Sequence, residues 1–199
     1  MNNLEIFTKY QNEIKKVLEP NRYWHSVSVA LTAAHLSEIY NCDIKKCITA
    51  GLLHDYAKNK TYEEIIDECK RLNMNLTDED IEAKGVVHGF LSAELAKNKF
   101  KIDDDVYDAI YYHTCGKENM PMLNKIIYIS DFIEPLRPFS DRVEHIRKLA
   151  YCDIDYAIIL ACEMTINHLK NTNSFIHSNS IKTLNYYKNI ILMRNNEKK

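Results

Sequence analysis

Four glycines and four prolines in 199 residues leave this chain few means of turning sharply. A β-sandwich or barrel needs a turn signal roughly every 8–12 residues, and glycine and proline supply most of them. The chain is therefore expected to be all-α, a bundle of helices joined by short loops. Its length suits one domain, because a chain of this size buries roughly 70% of the surface its unfolded form exposes. We expect a single domain over residues 1–199, with a motif-bearing core at about 20–140 and a helical C-terminal part at about 141–195.

Apolar periodicity places the helices. Leu4, Phe7, Ile14, Val17 and Leu18 keep one face in the first segment, which Pro20 is expected to stop. A second helix is expected from about Tyr23 to Tyr40 and a short third from Ile44 to Lys58. Thr61 with Glu64 three residues on reads as a capping box, Thr77 precedes a short acidic turn, and Asp103 opens a helix ending near His113. Pro121 suits the first turn of a helix over Met122 to Ile133, after which Pro135 and Pro138 make Glu134 to Asp141 a loop. Two longer helices, Asp153 to Lys170 and Ser178 to Asn195, precede a polar tail, Asn195 to Lys199, expected to fray.

A net charge of -2 and pI near 6.4 provide no basic surplus for binding nucleic acid, so any phosphate recognition must be local. The six cysteines form no CxxC pair and the N-terminus lacks a secretory pattern, which reads as reduced thiols and a cytoplasmic location. No apolar run approaches the roughly 20 residues that cross a bilayer, so no membrane partner is expected.

Chemistry concentrates at His54-Asp55, around which His25, His88, His113 and Asp131 are distributed. Imidazole nitrogen and carboxylate oxygen are good ligands for divalent first-row metals, and a cation held by them can polarise phosphate and activate water. Asp131 lies in an apolar stretch, Ile126 to Ile129, where an unpaired carboxylate is costly. A histidine met alone is more often structural, and His35, His145, His168 and His177 match no such pattern; they read as surface or core residues.

The order His25, His54-Asp55, Asp131 resembles the HD-domain superfamily of metal-dependent phosphohydrolases. Arg22-Tyr23-Trp24-His25-Ser26, Leu52 to Lys58, Val87-His88-Gly89, Tyr112 to Gly116 and Ser130 to Arg137 narrow the likeness to its YqeK branch, the symmetrical bis(5′-nucleosyl)-tetraphosphatases. The resemblance implies an all-helical HD bundle in which His25, His54, Asp55 and Asp131 ligate a metal. It also implies cleavage of diadenosine tetraphosphate into two ADP. Iron is the metal it implies, although these donors also accommodate manganese, cobalt, nickel or zinc. The family's His-Thr-Thr-Gly stands here as His113-Thr114-Cys115-Gly116 and its Ala-Asp-Tyr as Ser130-Asp131-Phe132, changes that touch no ligand.

Catalytic roles are expected at Asp55, Lys58, His88 and His113. Asp55 would orient a water, and Lys58 would set an ammonium on the same helical side, against a phosphate. His88 and His113 either contact phosphate and carry a proton, the favoured reading, or ligate a second cation bridged through Asp55. Substrate contacts are expected from Arg22, His25, His88, His113, Thr114, Gly116, Asp131 and Arg137, with the arginines gripping phosphate oxygens. Tyr112 or Tyr128 could stack on a purine. Two other readings stand beside this one: hydrolysis of another nucleotide, such as a nucleoside monophosphate or deoxynucleotide, and non-catalytic nucleotide binding. Apolar residues of the last helix, among them Ile181, Leu184, Tyr187 and Leu192, are expected to finish the core and otherwise leave a face for a homodimer.

Overall fold

The computed structural model describes residues 1–138 and 140–197, and among these it contains eleven helices and no strand. Phe139 of the expected loop and Lys198-Lys199 of the expected tail lie outside the described residues. The elements are α1 (Asn3–Ile14), α2 (Pro20–Ile39), α3 (Ile44–Leu53), α4 (Tyr62–Arg71), α5 (Asp78–Glu82) and α6 (Val87–Phe100). They continue with α7 (Asp104–Tyr111), α8 (Met122–Ile133), α9 (Asp141–Ala150), α10 (Ile154–Asn171) and α11 (Ser178–Asn196).

Local signals start several helices where the sequence places them. Thr61 accepts from the Glu64 amide while Glu64 reaches back to the Thr61 amide, the reciprocal pairing of a capping box at α4. Thr77 and Asp80 do the same at α5. Pro20 behaves differently from expectation. The first helix has already ended at Ile14, and Pro20 sits at the start of α2, where a missing N–H costs nothing. The tail also differs, since α11 continues to Asn196.

Two helices went unseen in the sequence. In α6 almost every residue from Val87 to Ala93 is buried, so no polar face marks a helical period. In α9 the Ser140 hydroxyl caps the first turn directly after the proline-bounded loop.

The core forms around α8, whose Leu123, Ile126, Ile127, Tyr128, Ile129 and Ile133 are all buried. It is flanked by α2, α3 and α7 and by α9 and α10. Burial on nearly every side explains why this helix reads as continuously apolar. Helices α2 and α3 pack closely because Gly51 has no side chain: a Cβ there would stand 2.6 Å from the Ala30 Cα. A smaller apolar cluster joins α4 to α6 through Ile65, Cys69, Val87 and Leu91. In α11, Tyr187 is buried and Leu184 and Ile191 pack against the core, whereas Ile181 and Leu192 are exposed.

Candidate metal centre

Five segments converge at one place. The first turns of α2 bring Arg22 and His25, the turns after α3 bring His54, Asp55 and Lys58, α6 brings His88, the chain after α7 brings His113, and α8 brings Asp131. The third helix was expected to run through Lys58, but it stops at Leu53, with His54 as its C-cap. Beyond it the hydrogen bonds shorten to i→i+3 (Tyr56 to Leu53, Lys58 to Asp55, Lys60 to Ala57), and the Ala57 amide donates to the Ser92 hydroxyl of α6 at 2.9 Å. His54, Asp55 and Lys58 are thus presented by tight turns rather than a continuing helix. A bond from another helix draws the Ala57 amide out of the helical ladder, and the local sequence carries no sign of it.

The donor atoms form overlapping triads. His25, His54 and Asp55 offer one set within 4.8 Å, Asp55, His88 and His113 another, and His54, His113 and Asp131 a third. Asp55 faces both ways. Its Oδ2 lies 3.7 Å from His25 Nε2 and 3.4 Å from His54 Nε2, while its Oδ1 lies 3.1 Å from His88 Nε2 and 3.7 Å from His113 Nε2. Asp131 Oδ1 stands 3.0 Å from His25 Nε2 and 3.9 Å from His54 Nε2.

The tautomers show what this arrangement suits. His54 Nδ1 donates to the Gly51 carbonyl at 2.8 Å, His113 Nδ1 to the Ile110 carbonyl at 2.7 Å and His25 Nδ1 to Glu134 at 3.1 Å. Carbonyls and ionised carboxylates only accept, so each Nδ1 bears the hydrogen and each Nε2 of a neutral ring turns a lone pair inward. His25 and His54 Nε2 face each other at 3.3 Å, as do His88 and His113 Nε2. Lone pairs and carboxylate oxygens packed this closely repel one another, and a cation among them reverses the sign. The donor set therefore fits a divalent metal.

Titration follows the same field. Burial opposes charge on Asp55 and Asp131, but the neighbouring imidazoles, joined at Asp131 by the Arg137 guanidinium, outweigh it and hold both carboxyls well below the usual range. Burial, with His54 and His88 nearby, pulls His113 down to about 3, and burial likewise lowers His88. At His25 burial is overcome by Asp131 and Glu134, which raise its affinity for a proton. Burial lowers the Lys58 ammonium, whose Nζ lies 3.3 and 3.2 Å from the two nitrogens of His88.

Cations surround the cluster. Arg22 donates to Asp55 Oδ2 at 2.7 Å, and Arg137 donates to Asp131 Oδ1 at 2.7 Å and to its carbonyl at 3.0 Å. Thr114 has a buried hydroxyl oxygen with no hydrogen-bond partner and lines a concavity beside His113 and Asp131. Gly116, by contrast, packs against Thr183 of α11. Tyr128 lines the same concavity as Thr114, while Tyr112 is only half-buried and lies under the Lys117 ammonium. The four histidines set aside in the sequence stay out of the cluster: His177 pairs with Asp80 at 2.9 Å, and His35, His145 and His168 are exposed.

Three participants were missed. Glu134 orients His25; its spacing of three residues from Asp131 was the available signal. Arg147, on the unforeseen α9, donates to the Ile133 carbonyl at 2.8 Å and so holds the end of α8 where the Arg137 loop begins. Gly89 lets α6 approach the His113 ring, since a Cβ there would meet His113 Cε1 at 2.9 Å.

Fold and site together define a class: helical domains that gather imidazoles and carboxylates from several helix ends around a divalent-metal site. The HD domain family matches residues 22–136. The chain is 36% identical over 176 residues to the symmetrical bis(5′-nucleosyl)-tetraphosphatase of Bacillus subtilis (strain 168), covering 87% of this chain and 92% of that one. Its identity to the protein of the same name from Staphylococcus aureus (strain NCTC 8325 / PS 47) is 34% over 178 residues, or 87% and 90% of the two. A crystal structure from Clostridium acetobutylicum, described as a predicted HD superfamily hydrolase involved in NAD metabolism, superposes with a TM-score of 0.87 at 40% identity, covering 92% of this chain and 97% of that one. The chain belongs to the HD-domain family, in its branch of symmetrical bis(5′-nucleosyl)-tetraphosphatases.

Proposed function

We propose that this protein is a metal-dependent hydrolase, a single HD domain that cleaves dinucleoside tetraphosphates symmetrically, so that diadenosine tetraphosphate yields two ADP. The observation that carries the reading is the double triad centred on Asp55, ringed by Arg22, Lys58 and Arg137, in a chain 36% identical to a relative named for this activity. Such an anhydride asks for charge neutralisation and a positioned water more than for covalent help.

His25, His54, Asp55 and Asp131 are the residues that would hold the first cation. Of the two roles open to His88 and His113, their geometry favours ligation of a second, because their Nε2 atoms stand beside Asp55 Oδ1. Iron is the metal the family resemblance favours. Bound there, a divalent cation neutralises phosphoryl oxygens and lowers the pKa of a water.

The chain's own groups do the rest. Asp55 orients the water toward the phosphorus on one side of the central anhydride. The water oxygen bonds to that phosphorus as the bond from the phosphorus to the bridging oxygen breaks. The departing ADP takes the electron pair as phosphate charge, and the proton the water gives up passes to solvent. Arg137 and Arg22 match phosphate oxygens with planar forks, and Lys58 supplies a compact ammonium on the other side of Asp55. The buried Thr114 hydroxyl, lacking a protein partner, can bond a phosphate oxygen. The six thiols, all free, suit a reducing cytoplasm, and among the described residues no helix is long and apolar enough to cross a membrane.

Incubation of metal-replete protein with diadenosine tetraphosphate, followed by product separation, tests the proposal. ADP as the sole product is expected; AMP with ATP, or no turnover with iron, manganese or cobalt, would refute it.

A further inference from the structure

A symmetrical cut makes a geometric demand. The scissile bond lies at the centre of the substrate, so the two sides of the site must each accept a nucleoside diphosphate, and each needs a surface for a base. This inference rests on the function proposed above and concerns where one base goes.

The cluster opens to the surface through two concavities that share Arg137 and Pro138 as a dividing wall. One contains His113, Thr114 and Asp131; the other, of about 510 Å³, contains Arg22, His25, Leu136 and Trp24. Trp24 is the chain's one tryptophan, and 55% of it is exposed although it lies between Arg22 and His25 of the cluster in α2. Leaving so large an apolar ring in water forgoes the burial that usually fixes tryptophan in a core. The ring is nevertheless held. Tyr23 meets it edge-on at 5.0 Å between centroids, and Gln11 of α1 fixes the Tyr23 hydroxyl at 2.7 Å. Leu136, 60% exposed, supplies further apolar surface in the same concavity.

An exposed ring with a fixed neighbour, set among two guanidiniums and an imidazole of the cluster, matches the parts of a nucleotide: the base on the ring, the phosphates on the arginines, the terminal phosphate at the cluster. We infer that Trp24 is the base platform for one nucleoside diphosphate half of the substrate, stacking on a purine in the concavity shared with Arg22 and Arg137. The partner half then runs through the concavity beyond the Arg137-Pro138 wall.

Because the chain has a single tryptophan, its fluorescence reports this contact directly. ADP added to metal-replete protein is expected to quench the emission, whereas pyrophosphate, which has no base, leaves it unchanged. Trp24→Ala should raise KM for diadenosine tetraphosphate about tenfold, the scale of one lost base stack, with the effect on KM rather than kcat, and Trp24→Phe should recover most of it. Turnover to ADP with no quenching by ADP and an unaltered KM in Trp24→Ala would overturn the assignment and leave the proposed reaction standing. Quenching by ADP without any turnover would do the reverse, keeping the nucleoside diphosphate subsite while removing the reaction.

Discussion

Asp55 is the residue on which the two halves of the site depend, because each of its oxygens faces a different pair of imidazoles. Asp55→Ala should therefore lose bound metal and hydrolysis together, whereas Asp131→Ala, which leaves the triad of Asp55, His88 and His113 intact, should retain part of the metal. Elemental analysis of the two purified variants checks this, and equal retention would contradict the shared role. Gly51 makes a different demand. A methyl group there would meet backbone at 2.6 Å rather than a movable side chain, so Gly51→Ala should destabilise the fold by about 1–3 kcal/mol in denaturant titration. At this scale the sequence was informative: His25, His54, Asp55, His88, His113 and Asp131, chosen by residue type and motif, meet in space. Glu134 was not chosen, because a carboxylate before a proline reads as loop until His25 is seen beside it.

Among the elements, those that start with a local signal were legible and those defined by burial were not. Thr61 and Glu64 announce α4, and Thr61→Ala should cost about 1 kcal/mol of stability, measured by thermal melts. Helix α6 carries no such signal, since its buried residues leave no polar face, and the end of α3 depends on Ser92 of that same helix. One of the links between α5 and α11 is a buried pair, Asp80 Oδ1 to His177 Nε2 at 2.9 Å. Burial works against the Asp80 carboxylate, but the Thr77 amide and His177 outweigh it and lower its pKa below the ordinary 3.8. A folded-state pKa below the unfolded one gives stability that is complete above the unfolded value and fades as pH falls through the folded value. Wild type should therefore exceed Asp80→Asn in stability at neutral pH, and the gap should close below about pH 3.8. A gap constant down to pH 2 or so would show that the pair does not titrate with unfolding.

For the molecule as a whole, the metal centre ties together three helices, α2, α6 and α8, and the turns that follow α3 and α7, so metal binding should be folding energy as well as chemistry. A chelator is expected to lower the Tm of metal-replete protein by roughly 5–10 °C, from about 2.7 kcal/mol of linkage at a hundredfold excess over Kd and 2–4 °C per kcal/mol at this size. Asp55→Ala, lacking the shared ligand, should show no such response, and an equal drop in both would mean the chelator acts elsewhere. The sequence by itself determined the all-helical class, through its poverty in turn residues, and the set of candidate ligands, through their chemistry and order. Both are properties of residues counted along a chain. Tertiary structure alone decided that Asp55 faces two triads, that three imidazoles turn bare nitrogens inward, and that Arg137 divides two concavities. Those features depend on hydrogen bonds and packing between segments up to 109 residues apart, as from His25 to Glu134, and such contacts leave no periodic trace in the sequence.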